Sequence, residues 1–442
     1  MRRLMLSAMH SGSGKTVTTC GLLRAFQRRG LNAESFKCGP DYIDPMFHRQ
    51  VLGLPARNLD LFLQGTEGVM RTLSKQRGEL ALVEGAMGYY DGVNGTHEAS
   101  AWQTADAAGL PVVLAVRPKG VSLTLAAQLK GMLDFRRPSH IVGVLLTDCK
   151  PMLYAHLKPI IEETGLKALG YLPPMEEAVL ESRHLGLVTP DEVAGLQHRF
   201  DAIAIQMEQT VDLDALLDLA VRCEGSPLPV VSPARCRIAV SQDEVFCFVY
   251  QDSLEALEAA GAELVFFSPL RDDPPTGIHG LYLVGGYPEL YGKSLSENTA
   301  MLEWIRQKVS EGLPTVAECG GFLYLLESLT DASGQIWPMA GVLSGGSKPT
   351  NSLRRFGYLH LRSETDSLLF RAGEQVPAHE FRYWEADRCG QDLRAEKPSG
   401  KTWQCCYTGP ELYAGFPHLH LGGTLPLAER FAEAAVRYKE RG

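Results

Sequence analysis

Gly312-Leu-Pro-Thr-Val-Ala-Glu-Cys-Gly-Gly-Phe-Leu-Tyr-Leu-Leu-Glu-Ser-Leu-Thr330 joins an apolar run, a glycine turn and a second apolar run of different period. Leu313 to Ala317 reads as a short buried strand, Glu318-Cys319-Gly320-Gly321 as a sharp turn, and Phe322 to Leu329 as a helix. A cysteine on a strand-to-helix turn stands clear of its neighbours. Its sulfur then faces a helix N-terminus, where the positive end of the dipole favours the thiolate. The glycines admit a substrate carbonyl, and the Gly320 N–H can serve an oxyanion hole. The same residues also fit a buried structural thiol, so the stretch predicts a strand–turn–helix unit and leaves the role of Cys319 open.

Outward from that unit, 442 residues exceed what one core usually supports, so two domains are expected. Their joint reads as the linker 224–236, where Glu224-Gly-Ser-Pro-Leu-Pro-Val-Val-Ser-Pro233 carries three prolines and no periodicity. The domains are then 1–223 and 237–442. With 45% hydrophobic and 21% charged residues the composition is that of an ordinary globular chain, and a net charge of −9 argues against a nucleic-acid or polybasic membrane-surface protein. No apolar run approaches the roughly 18 residues of a membrane span. Met1-Arg-Arg-Leu-Met-Leu is too short an apolar start for a signal peptide. Ten cysteines show neither a CxxC pair nor zinc spacing, which suits reduced thiols in the cytoplasm.

The first half opens with a strand-like Leu4 to Met9, then Ser11-Gly12-Ser13-Gly14-Lys15-Thr16, then Val17, Cys20, Leu23 and Phe26 at helical spacing. Strand, glycine turn, Lys-Thr and helix form a P-loop context. The turn N–H groups wrap phosphate oxygens, Lys15 reaches the terminal phosphates, and the Thr16 hydroxyl holds Mg²⁺. Phe36-Lys-Cys-Gly-Pro-Asp-Tyr-Ile-Asp-Pro45 gathers Lys37, Asp41, Tyr42 and Asp44 after a strand. Leu80 to Glu84 is a second buried strand with Asp91 seven residues on. Acids at parallel-strand ends beside a P-loop are where Mg²⁺ and a second substrate belong. Pro111 to Val116, Ile141 to Leu146 and Leu169 to Pro173 add strands that alternate with helices over Ser122–Asp134 and Tyr154–Thr164. This alternation predicts a doubly wound parallel sheet. A helical run from Glu181 is expected to end near Arg222.

The second half repeats the α/β pattern: strands at Arg237–Val240, Glu263–Phe267, Leu281–Val284 and before Cys319, with a helix at Ser253–Ala260. Gly285-Gly286 therefore sits at a strand C-terminus, where its N–H groups can complete the oxyanion hole. A thiolate needs a base, and His360, His379, His418 and His420 follow Cys319. His418 lies just before a C-terminal helix led by Pro426, with Leu427, Phe431, Ala434, Ala435 and Tyr438 on one face. His360 reads as an ordinary core or surface histidine.

Taken in order, these segments resemble the cobyrinic acid a,c-diamide synthase family across nearly the whole chain. The matching runs are Ser11–Thr16, Lys37–Pro45, Glu84–Gly92, Arg183–Leu187, Gly285–Tyr291, Ala317–Gly321, His379–Phe381 and His418–His420. The resemblance implies two α/β domains, a dethiobiotin-synthetase-like P-loop domain followed by a class I glutamine amidotransferase domain. It also implies a cytoplasmic ligase of cobalamin biosynthesis that amidates the a- and c-acetate carboxylates of cobyrinic acid with glutamine and MgATP. Cys319 and His418 would be catalytic, Gly286 and Gly320 would form the oxyanion hole, and Ser11 to Thr16 would bind phosphate. Thr16, Glu84 and Asp41 would hold Mg²⁺, and Lys37, Tyr42, Asp44 and Asp91 would face the acceptor. A homodimer is compatible with this reading.

The chain departs from the family's pattern at several places. Met9 stands where many P-loops begin with glycine, Arg117-Pro118 replaces Asp-Ala, and Thr147-Asp148 replaces Asn. Val284 replaces the first glycine of a Gly-Gly-Gly-Tyr-Pro turn, Arg382-Tyr-Trp384 replaces His-Tyr-Ser, and His420 stands where a glutamate usually follows the histidine. Arg354-Arg355 could meet tetrapyrrole carboxylates or form a solvated basic turn. Rival readings are the same chemistry on hydrogenobyrinic acid or a nickel sirohydrochlorin. A rival of another class is a P-loop partition or regulatory ATPase, which has no use for Cys319.

Overall fold

The computed structural model describes every residue except 180, 181, 184, 185, 188, 191, 192, 226–232 and 442. The chain forms two compact units, Met1–Leu228 and Pro229–Gly442. Most of the proline-bearing stretch between them lies outside the described residues.

The first unit alternates β1 (Arg2–Ala8), α1 (Lys15–Arg28), β2 (Ala33–Cys38), α2 (Ile43–Leu52), β3 (Arg57–Leu59), α3 (Leu61–Ser74) and β4 (Leu80–Glu84). It continues through α4 (Ala101–Ala108), β5 (Val112–Val116), α5 (Thr124–Phe135), β6 (Ile141–Leu146), α6 (Pro151–Glu162) and β7 (Lys167–Tyr171). The seven strands are parallel, in the order β3-β2-β4-β1-β5-β6-β7. β4 and β5 are buried at every position. Covered on both faces by helices, they read as continuous Val/Leu/Ala runs rather than alternating ones. The winding reverses at β1, and in such sheets the crevice at the strand C-termini beside the reversal is the ligand site.

The helical run expected from Glu181 to Arg222 is more broken. A two-residue-per-strand hairpin, β8 (Ser182–Arg183) and β9 (Gly186–Leu187), comes first, and residues 184 and 185 of that family motif lie outside the described residues. Helices α7 (Leu196–Thr210) and α8 (Leu213–Leu219) follow, and β10 (Val221–Arg222) pairs antiparallel with β1. Asp212 explains the break: its carboxylate accepts from Ala215 N at 2.9 Å, capping a new helix instead of continuing the old one.

The second unit begins with β11 (Cys236–Ser241), β12 (Phe246–Phe248), α9 (Gln251–Ala259), β13 (Ala262–Phe267), β14 (Gly280–Leu283) and β15 (Gly285–Gly286). Next come α10 (Gly292–Glu297), α11 (Thr299–Ser310), β16 (Thr315–Glu318) and α12 (Gly320–Leu325). The chain then runs through β17 (Leu326–Thr330), β18 (Ile336–Pro338), β19 (Leu343–Ser363), β20 (Gln375–Ala386), β21 (Leu393–Glu396) and β22 (Thr402–Cys405). It ends with β23 (Tyr407–Gly409), β24 (Leu412–Gly415), β25 (His418–Leu419) and α13 (Leu427–Glu440). One sheet, β13-β11-β14-β16-β24-β23, is parallel except at its β23 edge. On the expected apolar face of α13, Leu427, Phe431, Ala434 and Ala435 are buried and Tyr438 is partly so.

Two expectations change here. The helix predicted over Phe322–Leu329 stops at Leu325, and Leu326–Thr330 is a strand paired with β18 and β19. The turn that returns β18 is fixed by Asp331, whose Oδ1 accepts from Ser333 N at 2.8 Å and Gln335 N at 3.0 Å. In Leu-Leu-Glu-Ser-Leu-Thr the helical and strand spacings of leucine coincide, so the partner strand decides. The second change is a seven-stranded, mostly antiparallel sheet, β18-β17-β19-β20-β25 with β21 and β22, which the sequence reading does not foresee. It carries His379 on β20 directly across from His418 on β25.

Candidate active sites

In the first unit, the P-loop leaves β1 and enters α1. Gly12 and Gly14 sit at φ +76° and +80°, left-handed values that side-chain-bearing residues avoid, and Gly14 is the residue that starts the helix. Thr147, at the end of β6, donates to Ser13 O at 2.9 Å and so ties the loop to the sheet. Lys15 is buried and donates to Met87 O at 2.6 Å and, more distantly, to His10 O at 3.5 Å. Burial and the neighbouring Lys37 bring its ammonium down to about 8, against the opposing pull of Glu84, Asp44 and Asp91.

Glu84, the last residue of β4, is the hub of this site. Its Oε1 accepts from Thr16 Oγ1 at 3.0 Å and Lys37 Nζ at 2.9 Å, and its Oε2 from His48 Nε2 at 2.8 Å. Burial would push the Glu84 carboxyl up, but Lys37 and the His48 hydrogen bond outweigh it and hold it well below the usual range. Lys37 also donates to Asp44 Oδ2 at 2.5 Å and lies 3.9 Å from Asp41 Oδ2. Burial alone would lower Lys37, yet Asp44, Glu84 and Asp41 together hold it well above its ordinary value. Burial and the adjacent Asp41 push Asp44 upward, with Lys37 opposing.

Asp41 Oδ1 accepts from Ile43 N at 2.9 Å and Asp44 N at 3.2 Å, so one of its oxygens starts α2. Tyr42 is half-buried at the residue before that helix. Asp91 is exposed and accepts from Gly88 N at 3.0 Å within the turn after β4, the turn whose Gly85 O accepts from Lys37 Nζ at 3.4 Å. Sequence reasoning missed His48 and Asn58. Asn58 donates to Gly39 O at 2.9 Å and Asp41 O at 2.7 Å and clamps the loop that carries Asp41 and Tyr42. His48 was legible as the residue one helical turn after Asp44, on the same face of α2.

Among the described residues no group of three or more His, Cys, Asp or Glu side chains could hold a metal. Mg²⁺ needs less than that: it keeps several waters and takes one or two protein oxygens in octahedral geometry. Thr16 Oγ1 and Glu84 Oε1, 3.0 Å apart, fit neighbouring corners of such an octahedron, roughly 3 Å apart for bonds of about 2.1 Å. Beside the P-loop a cavity of about 340 Å³ is lined by Met9, Gly12, Ser13, Val116, Arg117 and Gln128, among others. Arg117 Nε donates to Asp148 at 2.8 Å. Two of the chain's departures from the family pattern thus meet each other at the ends of β5 and β6.

In the second unit, Cys319 stands between β16 and α12 at φ 48°, ψ −103°, a backbone conformation that is strained for any residue but glycine. Its N–H donates to Gly415 O at 2.8 Å, and its side chain is half-buried. The two glycines proposed for the oxyanion hole lie together: a Cβ on Gly320 would sit 2.8 Å from Gly286 N. Gly286 itself, at φ +157°, leaves no space for a Cβ against Val245 O. The departure at Val284 is absorbed by the core, where Val284 is buried and its N–H donates to Ser241 Oγ at 3.0 Å.

His418 is buried and faces Cys319. Burial would lower its pKa, but the Cys319 thiolate and the Glu318 carboxylate outweigh it and push the imidazole up to about 10. His420 does not share this role; its ring stacks on Tyr250 at 5.1 Å between centroids. His379, in register with His418, is held down to about 3 by burial, by the His418 charge and by Lys397. Arg382 and Trp384 prove to be parts of the sheet under this site. Arg382 is buried 2.7 Å from Glu380 and stacks 3.7 Å over the Phe416 ring, while Trp384 Nε1 donates to Thr330 O at 2.8 Å. Arg354 and Arg355 lie on β19 rather than in a turn, Arg355 with its guanidinium 4.8 Å over Trp403.

One unit presents a P-loop with a buried lysine–carboxylate cluster; the other presents a strained cysteine elbow facing a buried histidine and two glycine amides. Together they define a glutamine-dependent amidoligase. Family models agree: residues 4–187 match the CobQ/CobB/MinD/ParA nucleotide binding domain, and residues 237–421 the CobB/CobQ-like glutamine amidotransferase domain. The chain is 36% identical to the cobyrinate a,c-diamide synthase of Clostridium acetobutylicum over 96% of its own length and 98% of the relative's. It is 35% identical to that of Clostridium tetani over 98% and 100%, and 36% identical to that of Salmonella typhimurium over 98% of both. The chain belongs to the cobyrinate a,c-diamide synthase family. Among the described residues no helix is long and apolar enough to cross a membrane.

Proposed function

We propose that the chain amidates the a- and c-acetate carboxylates of cobyrinic acid in cobalamin biosynthesis, in the cytoplasm, with glutamine as nitrogen donor and MgATP as energy source. A carboxylate is a poor electrophile, so ATP phosphorylates it to an acyl phosphate. Ser11 to Ser13 and the amides around Gly14 cradle the phosphates, and Lys15 offsets charge on the transferring phosphoryl group. Mg²⁺, when bound, supplies further positive charge there; Thr16 and Glu84 are the residues that would hold it, with Asp41 nearby. Lys37, Tyr42, Asp44 and Asp91 are assigned to the acceptor side.

In the other unit Cys319 attacks the glutamine side-chain amide, and the N–H groups of Gly286 and Gly320 bind the developing oxyanion. His418 gives its proton to the leaving ammonia and then takes one from the water that hydrolyses the thioester to glutamate. Ammonia displaces phosphate from the acyl phosphate to give the amide.

The observation that supports this reading best is the Cys319–His418–Gly286 arrangement, for which a partition or regulatory ATPase has no use. The test incubates the protein with MgATP, glutamine and, separately, cobyrinic acid, hydrogenobyrinic acid and a nickel sirohydrochlorin, and reads product mass. Two successive carboxyl-to-amide conversions of cobyrinic acid are expected. ATP hydrolysis with no amidation of any of the three would overturn the proposal. Cys319→Ala should abolish glutamate release while ammonium still supports amidation.

A further inference from the structure

The class I pattern orients its histidine with a glutamate two residues further on, and here that place holds His420, turned against Tyr250. A carboxylate is nevertheless present beside the His418 ring. Glu318, the last residue of β16, is fully buried, and its Oε2 lies 3.8 Å from His418 Nδ1, at ion-pair distance. Its placement is fixed from two sides. Oε1 accepts from Leu419 N, the amide next to His418, at 2.9 Å, and Oε2 accepts from Tyr282 OH on β14 at 3.1 Å. Gly285 crowds the Cε1–Nδ1 edge of the same ring, where any side chain would collide with it.

We infer that Glu318 is the positioning residue of the glutaminase site, holding the Nδ1 edge of His418 so that the other ring edge meets Cys319. The task of the missing glutamate has moved from the histidine strand to the residue before the nucleophile. Burying a carboxylate costs several kcal/mol unless it is paired. Leu419 N and Tyr282 OH supply only part of that compensation, and the imidazolium of His418 supplies the rest. Catalytic contacts that are long without substrate commonly tighten once it binds, so 3.8 Å is compatible with a hydrogen bond during turnover.

The charge on Glu318 also contributes to holding His418 protonated at about 10. Other titratable groups around the pair are Cys319 itself, His379 from β20, Tyr282 from β14 and Tyr413 from β24. His379 stays neutral and both tyrosines are pushed well above their usual range, so these three carry no charge at working pH. After the Cys319 thiolate, Glu318 is therefore the charged group that raises His418.

This inference rests on the glutaminase reading above, and the experiment separates the two. Glutamate release is measured across pH for the full chain and for Glu318→Gln and Glu318→Asp, with thermal melting as a structural control. Glu318→Gln keeps an acceptor for Leu419 N and loses the charge. Its kcat is expected to fall by about 10²-fold or more with KM little changed, the range of a lost general acid–base contribution. Its alkaline limb should move to lower pH, because imidazolium loses its counter-charge. Glu318→Asp keeps the charge and should recover at least about tenfold over the Gln variant, with the alkaline limb returning toward wild type. A Gln variant with wild-type kcat and pH profile would overturn the inference. So would Gln and Asp variants that lose activity alike while the limb stays in place. No glutamate release by the wild-type chain would instead sink the glutaminase reading.

Discussion

The imidazole of His418 occupies the space a side chain on residue 285 would need. A Cβ built on Gly285 collides with its Cε1 and lies 3.2 Å from its Nδ1. A glycine on one strand thus fixes how closely a histidine on another can approach the nucleophile. Gly285→Ala should displace the ring, and a misplacement of about 1 Å commonly costs roughly 10²-fold in rate. Glutamate release should fall by about that factor while ATP hydrolysis by the first unit is unchanged. Wild-type glutamate release in the variant would contradict the crowding.

Much of this was legible because the decisive residues sit at strand ends, and strand ends are marked in sequence by glycines. The parallel strands of the first unit were readable as apolar runs, since burial on both faces removes polar alternation. The contacts of Glu84 with Lys37 and Thr16 follow from three such strands ending together. What escaped was non-local. Nothing in Leu326–Thr330 says strand until Ile336–Pro338 folds back on it. Glu318 looked like a turn residue because its partners, Leu419 and Tyr282, are 101 and 36 positions away. Arg382 reads in sequence only as a departure from the family pattern, whereas its neighbours show a buried cation between two glutamates and an aromatic ring.

Lys15 gives a pH signature. Its ammonium is lowered from 10.5 to about 8 by burial and by Lys37. A lysine is charged below its pKa, so Lys15 loses its charge as pH rises through about 8, well before an ordinary lysine would. Phosphate oxygens favour the charged form, so ATP binding should weaken above that pH, with the inflection at about 8 in the unliganded protein. Calorimetric titration of ATP across pH 7–10 checks this. In Lys15→Arg, which stays charged throughout, the inflection should vanish.

Lys37 is the cation that makes a cluster of buried acids tolerable. Replacing it by methionine leaves Glu84 and Asp44 without their charge partner, and breaking a buried pair this way costs about 3–5 kcal/mol. For a unit of this size the melting temperature should fall by roughly 6–20 °C. The transition to follow is that of the first unit, resolved by calorimetry. An unchanged melting temperature would show that the cluster is already neutral.

His48 holds one oxygen of Glu84 while Thr16 and Lys37 share the other. Its ring is fully buried, so its contact with Glu84 acts as an internal brace. If Thr16 and Glu84 hold Mg²⁺, His48 is the outer partner that aims the carboxylate, and loss of such a partner typically costs 10–100-fold in metal affinity. His48→Gln keeps a donor at slightly different reach, and His48→Leu removes it. The Mg²⁺ concentration for half-maximal ATP hydrolysis should rise by about 10–100-fold in the Leu variant and by less in the Gln variant. Glutamate release, which depends on the other unit, should be unaffected in both. An unchanged Mg²⁺ requirement in His48→Leu, with the fold retained, would remove Glu84 from the metal site and leave it a structural partner of Lys37.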